Sequence, residues 1–420
     1  MTRRHASRIA PPPQIGRRHM MPISSGFAHP VSRVHVPEPD RAPAPAPLSL
    51  ERGPVVVIIG GPSAEHDVSI VSGTAIAGAL RQAGHAVTQV LIDLDGSWWW
   101  LPPDHERGER PAAAYDDPAS LGARGPIRAG AAIDRLATAE ERPAIFIALH
   151  GPFGEDGTIQ ALLEGAGLAY TGSGVAASAL GMDKALFKRM VRGLGLRVVE
   201  WREVTKRRWL EDPLAVLEEL DRFTADIAES RLIVKPARLG SSVGMSIAHG
   251  PGERSAALEK AFEHDTLAIV ERYLPRPREL EVGVIGNDPA CLEVCGPGEV
   301  FPGREFYDYE AKYAAGVSKT VGRAEVSPEL RQQLRLVASA AYRAIGAEGF
   351  ARIDFLLDGE TAYVSEINTI PGFTPISLFP IMARELGYEF PSICARIVDL
   401  AVEREMRRTR RQLRPEDLPR

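Results

Sequence analysis

Apolar patterning starts abruptly in this chain. The first 50 residues show repeated prolines and no sustained apolar periodicity, whereas Pro54-Val-Val-Val-Ile-Ile-Gly-Gly is a continuous apolar run closed by glycines. Such a run predicts a buried parallel strand entering a tight turn. Ser69 to Leu80 has helical spacing, and Ala86 to Leu91 reads as the next strand. Asp95-Gly96 ahead of Trp98–Trp100 predicts a hairpin. The Pro/Gly/Ala-rich stretch 103–140 is expected on the surface, and Ala144 to Leu149 is another buried strand, ending in His150-Gly151. Together these segments predict an open parallel α/β domain whose strand-end loops face a cleft.

From Met182 the pattern changes. Asp183 is placed to cap a helix through Lys184, Phe187 and Val191, ended by Gly193 or Gly195. Leu232-Ile-Val-Lys-Pro and Val243-Gly-Met-Ser-Ile predict strands around a Ser/Gly loop, with a third strand at Leu267 to Glu271, giving a small α+β module. Strands at 280–285 and 290–295, a polar loop at 296–325 and a helix at 328–345 follow. A strand hairpin at 350–368 and a helix from about 390 to 408 complete the chain. The fold class is therefore α/β and α+β. The expected division is a disordered leader (1–52), an N-terminal α/β domain (53–172), a central module (173–272), a C-terminal module (273–410) and a tail (411–420).

Composition narrows the partners. The net charge of -5 conceals seven Arg against Glu38 and Asp40 in the first 50 residues, so the remainder is acidic. That argues against nucleic acid, which needs a basic face. No apolar run approaches the roughly 20 residues of a membrane span. Three cysteines are too few for a disulfide framework, and Cys291 and Cys295 are expected to be buried thiols rather than zinc ligands. The Arg-rich leader lacks a secretory apolar segment. It reads as a solvated tail, or as an overextended start with Met20 or Met21 as the first residue.

The hairpin carries the strongest chemistry. Phe350-Ala-Arg-Ile-Asp-Phe-Leu-Leu and Thr361-Ala-Tyr-Val-Ser-Glu-Ile-Asn flank Asp358-Gly359, a strong turn signal. Strand alternation places Arg352 with Asp354, and Glu366 with Asn368. A three-residue loop (358–360) pairs 352 with 366 and brings all four onto one face, so that loop is predicted, with Gly359 or a neighbour in the left-handed conformation. Two carboxylates and an amide oxygen on one face suit Mg²⁺, and Arg352 beside them would neutralise a transferring phosphoryl group.

Lys235-Pro-Ala-Arg-Leu-Gly240-Ser-Ser-Val-Gly244 sets small residues between two strands, where backbone N–H groups and hydroxyls can meet phosphate. It is not a P-loop, since the Gly-Lys-Ser/Thr ending and the following helix are missing. Lys184 and Lys235 are candidate phosphate contacts acting as point charges.

These segments resemble bacterial D-alanine–D-alanine ligases of the ATP-grasp superfamily, from Val55 to about Val402. The resemblance is carried by Gly60-Gly-Pro-Ser-Ala-Glu-His-Asp-Val-Ser69, Ala148-Leu-His-Gly151 with Gly154-Glu-Asp-Gly-Thr158, and Tyr170-Thr-Gly-Ser-Gly174. It continues in Met182-Asp-Lys184, Lys235-Pro with Gly240-Ser-Ser-Val-Gly244, and Phe306-Tyr-Asp-Tyr-Glu-Ala-Lys-Tyr313. Gly349-Phe-Ala-Arg-Ile-Asp354 and Glu366-Ile-Asn-Thr-Ile-Pro-Gly-Phe-Thr374 complete it.

The resemblance implies an ATP-grasp fold and a reaction: ATP phosphorylates one D-alanine carboxylate, and the amine of a second D-alanine attacks the acyl phosphate. It implies that Glu65 holds the first ammonium, with His150 near its carboxylate. Lys184, Lys235 and Lys312 are implied as phosphate clamps, Ser242 as a further ATP contact, and Glu271 and Glu279 as adenine-hinge and ribose contacts. Asp354, Glu366 and Asn368 would bind two Mg²⁺, with Mn²⁺ as an alternative, while Arg352 and the Gly372 N–H would stabilise the oxyanion. Ser377 and Leu378 fall where the second substrate's carboxylate is held, and Ser241 and Tyr313 are expected to hydrogen-bond with Glu65. A cytoplasmic homodimer serving peptidoglycan precursor synthesis is implied. The alternatives are another ATP-grasp carboxylate–amine ligase and a catalytically silent nucleotide-binding protein.

Overall fold

A computed structural model describes residues 52–225, 229–301 and 319–409. The leader, the 306–313 motif with Lys312 and Tyr313, and the tail from 410 onward lie outside the described residues. Among the described residues no helix is long and apolar enough to cross a membrane.

Three sheets follow one another along the chain. The first contains β1 (Val55–Gly60), β2 (Val87–Ile92), β3 (Trp98–Trp100), β4 (Arg124–Ile127) and β5 (Ala144–Ile147), in the order β4-β3-β2-β1-β5. β1 is buried along its whole length; β2 and β5 flank it, both parallel to it. The outer pairs β2–β3 and β3–β4 are antiparallel, so the predicted parallel sheet has an antiparallel edge. Helix α1 (His66–Gln82) packs on β1, and its buried face includes Ile70, Ile76 and Leu80.

The 103–140 stretch is not merely surface. It holds two short 3₁₀ turns, strand β4 and helix α2 (Ala129–Ala137), whose Ala132, Ile133 and Leu136 are buried. Tyr115 is wholly enclosed, with its hydroxyl 2.8 Å from the His105 ring. The apolar signal there spans little more than one helical turn, too short for periodicity to stand out from its Pro/Gly-rich flanks.

After α3 (Thr158–Gly165) and α4 (Val175–Met182), the Asp183 carboxylate accepts from Ala185 N at 3.0 Å and Leu186 N at 2.9 Å. That caps α5 (Lys184–Gly193) as its sequence requires. The second sheet has the order β6-β9-β7-β8, built from β6 (Trp201–Thr205), β7 (Leu232–Pro236), β8 (Ser246–Ala248) and β9 (Leu267–Arg272). Helices α6 (Lys206–Glu211), α7 (Pro213–Thr224) and α8 (Arg254–Phe262) accompany it, and its core joins Leu220, Phe223, Val234, Leu258 and Val270. β8 begins at Ser246 rather than Val243, because Ser241 and Ser242 are left-handed (φ 49° and 59°) and delay the return to extended backbone.

The third sheet runs β12-β11-β10-β13-β14, from β10 (Arg278–Ile285), β11 (Glu293–Phe301), β12 (Lys319–Val321), β13 (Phe350–Asp358) and β14 (Thr361–Asn368). The expected strand at 290–295 is displaced and longer, and the expected loop from 296 is a strand as far as Phe301. Gly296-Pro297-Gly298 looks like a turn in sequence but is absorbed as a register irregularity opposite β10. Cys291 is exposed, against expectation, because it closes a turn onto Asp288 O; Cys295 and Cys394 are buried. Helix α9 (Pro328–Ala344) covers this sheet, α10 (Leu378–Ala383) lies at its cleft end, and α11 (Phe390–Thr409) returns to the first sheet. Phe373 joins the parts, with ring centroids 5.5–6.0 Å from Phe146, Phe350, Phe379 and Phe390.

Candidate active site

A cavity of about 1210 Å³ lies between the second and third sheets, with the first sheet's strand-end loops at one side. Every site residue predicted from sequence that falls among the described residues lines it: Glu65, His150, Lys184, Lys235, Ser241, Ser242, Glu271, Glu279, Arg352, Asp354, Glu366, Asn368, Gly372, Ser377 and Leu378. Residues more than 300 positions apart in the chain thus converge on one space.

The hairpin arrives at the expected face by an unexpected route. Asp358 pairs with Thr361, so the loop has two residues, Gly359 and Glu360, rather than three; Gly359 takes φ 58°. Phe355 pairs with Val364 but Asp354 with Glu366, so Ser365 is an extra residue in β14. This bulge, not the loop, restores the parity. Asp354 then faces Glu366, Arg352 faces Asn368, and all four share one side as predicted.

On that face Arg352 donates to both Asp354 oxygens at 2.7 Å, and Asn368 Nδ2 donates to Asp354 Oδ2 at 2.9 Å. Lys184 Nζ lies 3.1 Å from Glu366 and donates to Leu239 O at 2.9 Å. Burial would lower the Lys184 pKa, but Glu366 outweighs it and the group is held above its ordinary value. Burial likewise opposes the charge on Arg352, yet Asp354 and Glu281 hold it firmly protonated. The carboxylates therefore carry protein cations as counter-charges. Among the described residues no group of three His, Cys, Asp or Glu side chains is set to hold an ion. The donors that fit a metal are two carboxylates plus the Asn368 amide oxygen, a hard set that leaves positions for water and phosphate, as Mg²⁺ prefers.

Across the cavity, Ser241 Oγ donates to Glu65 Oε1 in a short contact. Two consecutive left-handed serines are a costly backbone for residues with a Cβ, tolerated where surroundings impose it. Glu65 is buried, and a Cβ at Gly151 would stand 2.5 Å from its Oε2, so only glycine admits this approach. His150 sits beside it with Nε2 3.2 Å from Ser72 Oγ; burial depresses its pKa against the pull of Glu65. Ser377 Oγ accepts from Thr374 N at 3.0 Å, which folds the 372–377 turn ahead of α10.

Two cleft residues, Glu155 and Glu281, and a lysine buried behind the cleft wall, Lys188, had no role assigned from sequence. Glu155 accepts from Gly151 N at 2.7 Å and Ile370 N at 3.3 Å, tying a first-sheet loop to the exit of β14. Burial, then the nearby Glu65 charge, push its pKa up to about 8. It belongs to Gly154-Glu-Asp-Gly, a motif already visible in the chain. Lys188 is fully buried at the back of the cleft wall, 2.8 Å from Glu271, which Lys235 meets at 3.0 Å. Burial alone would raise Glu271, but the two lysines bring it down to about 2. A lysine on the apolar face of an amphipathic helix was the available signal. Glu281 shares strand parity with Glu279 and faces Asp354.

An α+β clamp whose two sheets enclose a cleft of lysines, a Ser/Gly loop and an acidic hairpin is the ATP-grasp fold. Residues 54–173 match the D-ala D-ala ligase N-terminus profile and 190–399 the D-ala D-ala ligase C-terminus profile. The chain is 39% identical over 353 residues to the D-alanine–D-alanine ligase of Deinococcus radiodurans, spanning 83% of this chain and 98% of the relative. The corresponding Chlorobaculum tepidum ligase is 37% identical over 371 residues, 84% of this chain and 98% of the relative. Among solved structures, the D-alanine-D-alanine ligase from Coxiella burnetii superposes with TM-score 0.70 at 28% identity, covering 86% of this chain and 97% of that one. The VanG D-Ala:D-Ser ligase from Enterococcus faecalis gives TM-score 0.70 at 28% identity, covering 84% and 100%. The chain belongs to the D-alanine–D-alanine ligase family.

Proposed function

We propose that this protein is an ADP-forming ligase that joins two D-alanines for peptidoglycan precursor synthesis. The observation that carries the reading is the convergence of Glu65 and Ser241 with the Arg352, Asp354, Glu366 and Asn368 face on one cavity. A carboxylate oxygen of the first D-alanine takes the γ-phosphoryl group of ATP and releases ADP. The amine nitrogen of the second attacks the resulting acyl carbon, phosphate leaves with its bonding pair, and the nitrogen loses a proton. Glu65 receives the first ammonium, and His150 lies where that substrate's carboxylate would sit. Lys184, Lys235 and Ser242 bind phosphates, while Glu271 and Glu279 line the nucleotide end. Arg352 and the Gly372 N–H receive the oxyanion, and Ser377 and Leu378 hold the second carboxylate.

Asp354, Glu366 and Asn368 would hold two Mg²⁺ or Mn²⁺ ions, whose chemistry here is neutralisation of phosphate charge. Their arrival would free Lys184 and Arg352 for substrate. Lys312 and Tyr313 complete the set in the same reading. Residues 53–172, 173–272 and 273–410 act as three domains of a cytoplasmic homodimer, which sedimentation would test. The reaction is tested by incubating the protein with ATP, Mg²⁺ and D-alanine and measuring phosphate and dipeptide. D-alanine-dependent phosphate with D-alanyl-D-alanine is expected. No D-alanine-dependent phosphate rejects the reading, and turnover only with another acceptor supports a different carboxylate–amine ligase.

A further inference from the structure

Arg352 is gripped from two sides. Besides its two bonds to Asp354, its Nε lies 3.1 Å from Glu281 Oε2, on the neighbouring strand β10. Register explains the reach: Glu281 pairs with Asp354, whereas Arg352 pairs with Gly283, so Glu281 is its diagonal cross-strand neighbour. Gly283 faces Arg352 and Gly298 faces Glu281, and neither carries a side chain. The space that a Cβ would fill is occupied instead, by Phe379 3.0 Å from the Gly283 position and by Leu378 2.8 Å from the Gly298 position. The pair therefore lies beneath the first turn of α10, and Glu281 is buried.

The two carboxylates differ in what else they must do. In the proposed function, on which this inference rests, Asp354 turns to a divalent cation. A cation on Asp354 repels the guanidinium that now shares its oxygens. Glu281 stands one strand further from Glu366, and among the described residues no three acidic side chains are set around one ion. We infer that Glu281 is a positioning residue: it keeps Arg352 aimed at the reacting carboxylate once Asp354 is taken by metal. Both Asp354 oxygens are now engaged by the Arg352 fork, so a cation bound there weakens at least one of those bonds, and Glu281 is the carboxylate left to hold the guanidinium.

The inference is tested on the full chain with Glu281→Gln, read in two ways. Arginine Nε–H NMR, with Arg352 assigned through Arg352→Lys, follows the side chain when Mg²⁺ and ADP are added. In the unsubstituted protein the Arg352 signal is expected to stay sharp and slowly exchanging; in Glu281→Gln it is expected to broaden or vanish only after metal is added. Unchanged behaviour in the variant overturns the inference, whether or not the protein makes dipeptide. Mn²⁺ titration by EPR is expected to change less than about threefold in Glu281→Gln, and a loss above tenfold overturns it by making Glu281 a ligand. Where dipeptide is made, Glu281→Gln should lower kcat about tenfold with KM for ATP unchanged, and add little in an Arg352→Met background. Additive losses overturn the inference. Absence of D-alanine turnover in the unsubstituted protein would instead reject the proposed function, leaving the NMR result to decide the role of Glu281.

Discussion

Lys184 and Lys188 lie one turn apart on the same helix, and each meets a carboxylate. Lys184 pairs with Glu366 at the cleft wall with 12% of its side chain exposed, while Lys188 pairs with Glu271 with 1% exposed. Solvent, phosphate or metal can replace what Lys184 gives Glu366. Nothing can replace Lys188 without opening the core between α5 and Trp201, over whose ring its ammonium sits at 5.7 Å. The difference shows that residue type and helix position do not determine a lysine's role. What decides it is whether the lysine itself reaches the cavity: Lys184 lines it and Lys188 does not, although the carboxylate partners of both do.

That contrast can be broken by substitution. Lys188→Met should cost about 3–5 kcal/mol, since it leaves Glu271 buried with only Lys235; urea unfolding measures it, and a loss below about 1 kcal/mol would erase the distinction. Lys184→Met should cost less, about 1–2 kcal/mol, because Glu366 is a quarter exposed and keeps part of its solvation. It should nevertheless raise KM for ATP about 30-fold, or roughly 2 kcal/mol of binding, in steady-state phosphate release. Asp183→Ala removes the cap that orients both lysines and should lower stability by about 1 kcal/mol, with a smaller rise in KM than Lys184→Met.

The contrast also has a pH signature. Glu271 lies near 2 in the folded protein against an ordinary 4.5, so its contribution is full above about 4.5 and is lost as pH falls toward 2. Glu155 has the opposite sign: raised to about 8, it favours the folded state least at alkaline pH, so stability declines from about 4.5 up through 8. Urea midpoints across pH should show both limbs. Glu155→Gln should flatten the alkaline one, and Lys188→Met the acid one.

Phe373 tests the scaffold on which both lysines depend. Its ring meets Phe146 of the first sheet and Phe350 of the third. Phe373→Ala should therefore destabilise by about 3–5 kcal/mol, seen as a fall in Tm, without altering the relative effects of the two lysine variants.

Local physics wrote much of this molecule into the chain. The apolar run of β1, the Asp183 cap, the 328–344 helix and the order of the glycine-bounded motifs were all readable, because each depends on neighbours a few residues away. The cleft membership of Glu65, Lys235 and Asp354 was readable through those motifs. Tertiary structure alone decided the rest. The Ser365 bulge, rather than a longer loop, turns Glu366 toward Asp354, since a bulge is chosen by how β13 and β14 fit the surrounding sheet. The 103–140 segment finds its strand and helix only against the edge left by β3. Lys188 beside Glu271, and Glu281 beside Arg352, join residues that are 83 and 71 positions apart. Periodicity reports which face a side chain takes, but burial in a low-dielectric interior determines which charges must meet. That pairing is set by strands and helices distant in sequence, and it leaves no local trace.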